Sequence, residues 1–247
     1  MQKIETLATW IKESERIVFF GGAGTSTESG IPDFRSAAGL YQSEQHSPYP
    51  PEEMLSHHFF VERPEVFYDF YRTKMIHKDA KPNACHQVLA ELEQRGKLKS
   101  IITQNIDGLH QKAGSSKVLE LHGSIHRNYC MGCARFYDLD AIIESVDIVP
   151  RCSSCQSVIK PDVVLYEEAL DQNILYEAME AISNADLIII GGTSLTVQPA
   201  AQLVSYYQGN RSVLLNVDAT AYDHRADLHI TQKIGEVMHQ VSQILEP

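Results

Sequence analysis

The chain has 247 residues, 43% of them hydrophobic and 21% charged, enough to bury one large core or two unequal ones and too apolar for a disordered tail. A formal charge of -11 and a pI near 5.4 give no overall cationic field, so direct nucleic-acid binding is not expected. Residues 1–14 read as an amphipathic helix interrupted by Glu5, Lys12 and Glu13, unlike a secretory signal, and the apolar runs are far shorter than the roughly 20 residues of a membrane span. The expected location is the cytoplasm, with no membrane partner.

After the first helix, residues 16–21 form a strand-like apolar run that opens into Gly21-Gly22-Ala23-Gly24-Thr25-Ser26-Thr27. Glycines and hydroxyls directly after a strand let backbone N–H groups approach a pyrophosphate. Five residues separate Gly24 from Gly30, so the spacing is not the dehydrogenase fingerprint, and the glycines alone are compatible with a plain tight turn. Asp33, Phe34 and Arg35 follow, a charged and aromatic group that a mere turn does not need.

Residues 36–79 then break the pattern with Pro48, Pro50, Pro51 and Pro64 and a helix from about Glu65. A helix is expected over 82–94, with Cys85 as a small buried hydrophobe. A strand over 99–104 leads into Thr103-Gln104-Asn105-Ile106-Asp107-Gly108-Leu109-His110, which reads equally as a helix cap supplied by Asn105 or Asp107 or as a ligand site at a strand end. The next strand, 118–121, ends at His122-Gly123, where a histidine suits general-base work because its ordinary pKa is close to neutral. The chain has eleven histidines, and no role is attached to His46, His57 or His58.

A second insertion, 124–160, carries Cys130-x-x-Cys133 and, after 18 intervening residues, Cys152-x-x-Cys155. Two residues between ligands let one tight turn aim both sulfurs at one ion, so the four cysteines predict one structural zinc with a closed tetrahedron; two redox pairs are the alternative. Strands at 163–166, 187–191 and 212–217 and helices at 172–183, 199–207 and 234–245 complete the chain. Gly191-Gly192-Thr193-Ser194 is a second glycine and hydroxyl loop after a strand, and Asn216 follows a third strand end, placed to donate to ribose or adenine.

Short strands that are apolar on consecutive positions, alternating with helices, predict an α/β fold: a doubly wound, Rossmann-like parallel sheet with a smaller inserted domain, part helical and part zinc-ribbon-like. The expected boundaries are 1–35, 80–123 and 161–247 for the nucleotide-binding domain and 36–79 with 124–160 for the small one.

Taken in order, Gly22-Ala23-Gly24 through Gly30-Ile31-Pro32-Asp33-Phe34-Arg35, Thr103-Gln104-Asn105-Ile106-Asp107, His122-Gly123, the four cysteines, Lys160-Pro161-Asp162-Val163-Val164, Gly192-Thr193-Ser194-Leu195 and Asn216-Val217-Asp218 make the chain resemble the sirtuins, a family of NAD-dependent protein-lysine deacylases. The resemblance spans residues 21–218. It implies that NAD is a co-substrate and that acetylated lysines bind as extended peptides. The acyl oxygen attacks the ribose carbon as nicotinamide leaves, His122 deprotonates a ribose hydroxyl, and the acyl group passes to the sugar. It further implies a nicotinamide pocket of Asp107, Ala23, Ile106, Phe34 and Asp33. Asn105, a second catalytic side chain, holds ribose and ordered water with Gln104 and Ser26, while Arg35 faces the phosphates or the nicotinamide.

The peptide would lie between residues 164–168, with Val164, Leu165 and Tyr166 as contacts, and residues 195–198, with Val197. The chain departs from the family at Tyr166-Glu167-Glu168, where phenylalanine, glycine and glutamate are usual, so Glu167 must take a glycine's place and adds negative charge at the rim. Family members that prefer acidic acyl groups carry Tyr-x-x-Arg before the helix near residues 65–79; none occurs in 36–79, which predicts acetyl and other uncharged groups. Mono-ADP-ribosyl transfer at the same site and an NAD-sensing zinc module that binds DNA or protein are the competing functions.

Overall fold

Strands form where apolar residues run unbroken and can be buried from both sides. The structure, a computed structural model, describes residues 1–34, 36, 39–43 and 48–245, the side chains of 42 and 43 excepted. Nine strands are present among them: β1 (Ile17–Gly21), β2 (Leu98–Thr103), β3 (Val118–Glu120), β4 (Gly123–Cys130), β5 (Phe136–Tyr137), β6 (Ile159–Val163), β7 (Leu187–Gly191), β8 (Ser212–Leu215) and β9 (Leu228–Ile230). Six of them, in the order β3-β2-β1-β7-β8-β9, form one sheet whose pairings are all parallel. Counted along the chain this is the 3-2-1-4-5-6 order of dinucleotide-binding doubly wound sheets, with the order reversing between β1 and β7.

The alternation of side chains explains the two layers of helices. Ile17 and Phe19 of β1 and Leu187 and Ile189 of β7 pack with helices Gln2–Glu13, Ala84–Gln94 and Ile234–Leu245 in one apolar cluster. Val18 and Phe20 of β1 and Ile188 and Ile190 of β7 face the other way, toward helix Gln172–Ser183 and the short helix Ala200–Tyr206. Each fully buried Leu, Ile or Phe contributes about 1.5–3 kcal/mol relative to an exposed one, so the central strands anchor the fold.

β4, β5 and β6 form a separate antiparallel sheet, order β5-β4-β6. Its core is continuous with the helical segments that precede it: Phe59, Phe60, Phe67, Tyr68 and Tyr71 share one buried cluster with Ile125, Ile142, Ile159 and Val163. Arg127 of β4 ties this lobe to the large sheet, its guanidinium donating to Glu120 of β3 at 2.6 Å and to Asp162 of β6 at 2.7 Å.

Two strand expectations are corrected. The run at 163–166 is not a strand of the parallel sheet: β6 ends at Val163 and belongs to the small antiparallel sheet. Its burial alternates, and Pro161, which lacks an N–H, is tolerated because β6 is an edge strand. The sixth parallel strand is β9, whose Leu-His-Ile is three residues with a polar centre, too short and mixed to register as an apolar run. Among the described residues no helix is long and apolar enough to cross a membrane. Cys85 is fully buried in the larger core, as expected.

Candidate active site

A cleft of about 640 Å³ opens at the carboxyl ends of β1, β2, β7 and β8, where the strand order reverses. Gly22, Ala23, Gly24, Ser26, Thr27, Asp33, Phe34, Gln104, Asn105, Ile106, Asp107, His122, Val164, Leu165, Tyr166, Gly192, Thr193, Ser194, Val197 and Asn216 all line it. Arg35 lies outside the described residues.

The loops after β1 and β7 meet backbone to backbone. Gly24 N–H donates to the carbonyl of Gly192 at 2.8 Å, and Gly22 N–H to that of Gly191 at 3.2 Å. Only glycine fits at Gly192: its φ is +57, and a Cβ there would lie 2.2 Å from the amide nitrogen of Thr25. A short 3-10 helix, Ala23–Ser29, follows the first loop. It is braced from behind by Asn83, whose side-chain amide donates to the Thr25 carbonyl at 2.8 Å and to Ser29 Oγ at 3.0 Å, while its oxygen caps helix Ala84–Gln94.

Ser26 joins these loops to the end of β2. Its hydroxyl donates to Asp107 Oδ2 at 2.7 Å and accepts from Asn105 Nδ2 at 3.1 Å. Both carboxylate oxygens of Asp107 are engaged: Oδ1 accepts from Leu109 N–H at 2.9 Å, just ahead of helix Leu109–Lys112, whose N-cap is Gly108, while Oδ2 takes the Ser26 bond. Asn105 caps nothing. Gln104 reaches across to Thr193 Oγ1 at 3.0 Å, linking the β2 and β7 loops.

His122 stands at the end of β3. Its Nδ1 is 3.0 Å from the Gln104 carbonyl, which can only accept, so Nδ1 carries the proton and the neutral ring has its lone pair on Nε2. Burial holds its pKa below the ordinary histidine value, partly opposed by the bond to Gln104, so the ring is neutral near pH 7 and able to accept a proton. Gly123 follows in a left-handed conformation, φ +75, pressed against β6, where a Cβ would lie 1.8 Å from the Asp162 carbonyl. The backbone turn that aims His122 thus requires glycine next to it. Two other buried histidines, His86 and His110, are pushed down by burial to about 4 and about 3, lie with ring centroids 4.7 Å apart and planes tilted by 53°, and do not line the cleft.

The far wall is residues 164–168. The His122 carbonyl accepts from Val164 N–H at 3.0 Å, so the candidate base and this wall share a bond. Glu167, in the position usually held by glycine, has φ +78; Glu168 N–H donates to the Leu165 carbonyl at 3.0 Å, closing a turn with Glu167 third. His57 and His58, to which the sequence attached no role, touch this turn: His58 meets Glu167 at 2.7 Å and His57 meets Glu168 at 2.8 Å. Of the two rim carboxylates, Glu168 also has a cationic partner, Lys160 at 3.1 Å.

Lys74, Met75 and His77 from the helical insertion, and Gln232 and Lys233 after β9, line the cleft as well and were missed. A strand end is a signal for the last two, but β9 was not recognised.

The four cysteine sulfurs lie within 4.8 Å of one another. Zn–S bonds of about 2.3 Å set corners of a tetrahedron about 3.8 Å apart, which this cluster matches. The two Cys-x-x-Cys turns repeat each other: Ala134 and Gln156 are both left-handed, with φ of 56 and 62, and their amides bond the carbonyls of Cys130 and Cys152 at 2.9 Å. N–H groups of Gly132, Cys133 and Ser154 point at sulfur at 3.4 Å, and the Tyr137 hydroxyl lies 3.2 Å from Cys152 Sγ and draws that thiol down to about 5, toward the thiolate a metal needs. The set suits a structural zinc.

Comparison with known proteins follows the same lines. A family model described as Sir2 matches residues 22–199. An NAD-dependent protein deacetylase of Clostridium acetobutylicum is 58% identical over 241 residues, covering 98% of both chains. Among solved structures, a Sir2 histidine-to-alanine variant with a deacetylated p53 peptide and 3'-O-acetyl ADP ribose superposes with a TM-score of 0.89 at 38% identity, covering 98% of both chains. A Sir2 bound to a propionylated peptide gives 0.87 at 37% identity, again over 98% of both. With the reversed-order sheet, the paired glycine loops and the four-cysteine lobe all present, similarity on this scale leaves one assignment: the chain belongs to the Sir2 family.

Proposed function

We propose that this chain is an NAD-dependent protein-lysine deacetylase that passes the acetyl group of acetyl-lysine to the ADP-ribose part of NAD and releases nicotinamide. The observation that carries the reading is the state of His122, a neutral imidazole whose proton is fixed on Nδ1 by the Gln104 carbonyl, in the same cleft as the Ser26, Asn105 and Asp107 chain. Its Nε2 is the base for a ribose hydroxyl. Asp107, flanked by Ala23, Asp33, Phe34 and Ile106, takes the nicotinamide amide and keeps water away. Ser26, Gln104 and Asn105 order the ribose and its water, the glycine loops with Thr27, Thr193 and Ser194 take the phosphates, and Asn216 takes the adenosine end.

The peptide runs between residues 164–168 and 195–198, touching Val164, Leu165, Tyr166 and Val197. Cys130, Cys133, Cys152 and Cys155 hold the zinc, which supplies fold stability to the small lobe and no chemistry. The division into 1–35, 80–123 and 161–247 against 36–79 and 124–160 is supported by the shared small-lobe core, although β6 straddles its last boundary. Four free thiols gathered as a metal set suit a reducing, cytoplasmic compartment.

Incubation with NAD and an acetylated peptide tests the function: O-acetyl-ADP-ribose and free nicotinamide are expected, whereas ADP-ribosylated protein without deacetylation would replace this reading with the transferase one. Acetyl-lysine should also outperform succinyl-lysine in kcat/KM on the same peptide, and equal or better efficiency on succinyl-lysine would refute the uncharged-acyl preference.

A further inference from the structure

The turn at residues 165–168 puts a glutamate where the backbone asks for glycine. A φ of +78 at the third position is that of a type II turn, disfavoured for a residue with a Cβ. Three sets of contacts oppose that cost. Glu167 Oε2 accepts from the His58 backbone N–H at 3.0 Å and Oε1 pairs with His58 Nδ1 at 2.7 Å. Glu168 pairs with His57 Nδ1 at 2.8 Å and accepts from Leu165 N–H at 2.9 Å. Between them, His57 N–H donates to the Tyr166 carbonyl and Tyr166 N–H to the Leu55 carbonyl, each at 3.0 Å. Tyr166, which also departs from the usual phenylalanine, places its hydroxyl 3.1 Å from that of Tyr41.

From these contacts we propose that Glu167 and His58 are positioning residues. Together they fasten the peptide-facing segment to the start of helix His57–Glu62 before any substrate arrives, so that one edge of the extended segment is occupied and the other is held ready for a peptide. This rests on the deacetylase reading only for what the segment binds; the fastening itself is a property of the free protein. A tolerated accident and a functional pin differ in sign: if Glu167 is merely endured, glycine relieves the backbone and helps, whereas if it is a pin, glycine loosens the wall.

The test measures steady-state kinetics and hydrogen exchange of the intact protein with E167G, H58A and the double variant. The pin predicts a peptide KM raised about 3- to 10-fold in each single variant. It also predicts kcat and the KM for NAD within about 2-fold of wild type, and a double variant no worse than E167G alone, because E167G removes both bonds to His58 whereas H58A removes only the one to its ring. Without substrate, the amides of His57 and Tyr166 should exchange faster in both single variants. Unchanged or lowered peptide KM in E167G together with unchanged exchange would overturn the proposal. Wild-type protein that does not deacetylate would instead refute the functional reading, and the exchange measurement would still decide the fastening.

Discussion

The two walls of the cleft are held in opposite ways. On the cofactor side the loops after β1 and β7 meet mainly through main chain, Gly24 against Gly192 and Gly22 against Gly191, with the Thr25 hydroxyl donating to the Gly191 carbonyl at 3.3 Å. On the peptide side the four described non-glycine residues with positive φ divide between the zinc turns, Ala134 and Gln156, and the two facing loops, Glu167 and Leu195. At Glu167 and Glu168 the backbone is held by side-chain pairs with His58, His57 and Lys160, while the zinc turns lie outside the cleft lining. Main-chain contact leaves the first wall little to adjust, whereas the side-chain pairs of the second can be tuned one residue at a time.

The contrast breaks most visibly at the cysteines. Replacing Cys152 with Ala, or removing the metal with a chelator, should abolish zinc content and unfold the small lobe, since structural zinc sites contribute on the order of 10 kcal/mol of folding free energy. Activity falls with the lobe while hydrogen exchange in β1, β2 and β7 stays slow; a folded, fully active Cys152→Ala protein would contradict the structural role. Next, His122→Ala should reduce deacetylation by about 10²–10⁴-fold while calorimetric NAD affinity survives. Unchanged turnover would take His122 out of its role.

On the cofactor wall, Gly192→Ala should weaken NAD binding at least about 10-fold and lower the melting temperature, because a left-handed residue with a Cβ costs about 1–2 kcal/mol before the contact with Thr25 is counted. An NAD affinity equal to wild type would show that the loops can separate. The smallest effect is in pH. Protonating His122 removes the base, and burial lowers its pKa, so kcat/KM should hold as pH falls from 7 and drop only below about 6.5. An acidic limb centred above that value would mean that a different group is titrating.

His86 and His110 sharpen the same point for stability. Both are neutral when folded and accept protons more readily when unfolded, so their contribution is complete above about pH 6.5 and is lost as pH falls through the range down to about 4 and about 3.

Much of this site could be read from one sequence because its parts are local. A strand followed by glycine, a Cys-x-x-Cys turn and a histidine before glycine each carry their geometry within a few residues, and helix limits such as Gln172–Ser183 and Ile234–Leu245 follow from amphipathic runs. The strand expected at 163–166 failed because its apolar content served a turn and a different sheet, a decision made by pairing partners distant in the chain.

What the sequence determined by itself was therefore chemistry and class: the dinucleotide loops, the metal ligands, the candidate base and a doubly wound sheet. Only the tertiary structure decided that Asp107 serves Ser26 and a helix start at once, that the Gln104 carbonyl fixes the His122 tautomer, and that two unremarked histidines grip Glu167 and Glu168. Those contacts join residues up to 111 positions apart. Local pattern fixes which groups the chain carries, whereas the partners that set their protons and orientation arrive only with long-range packing.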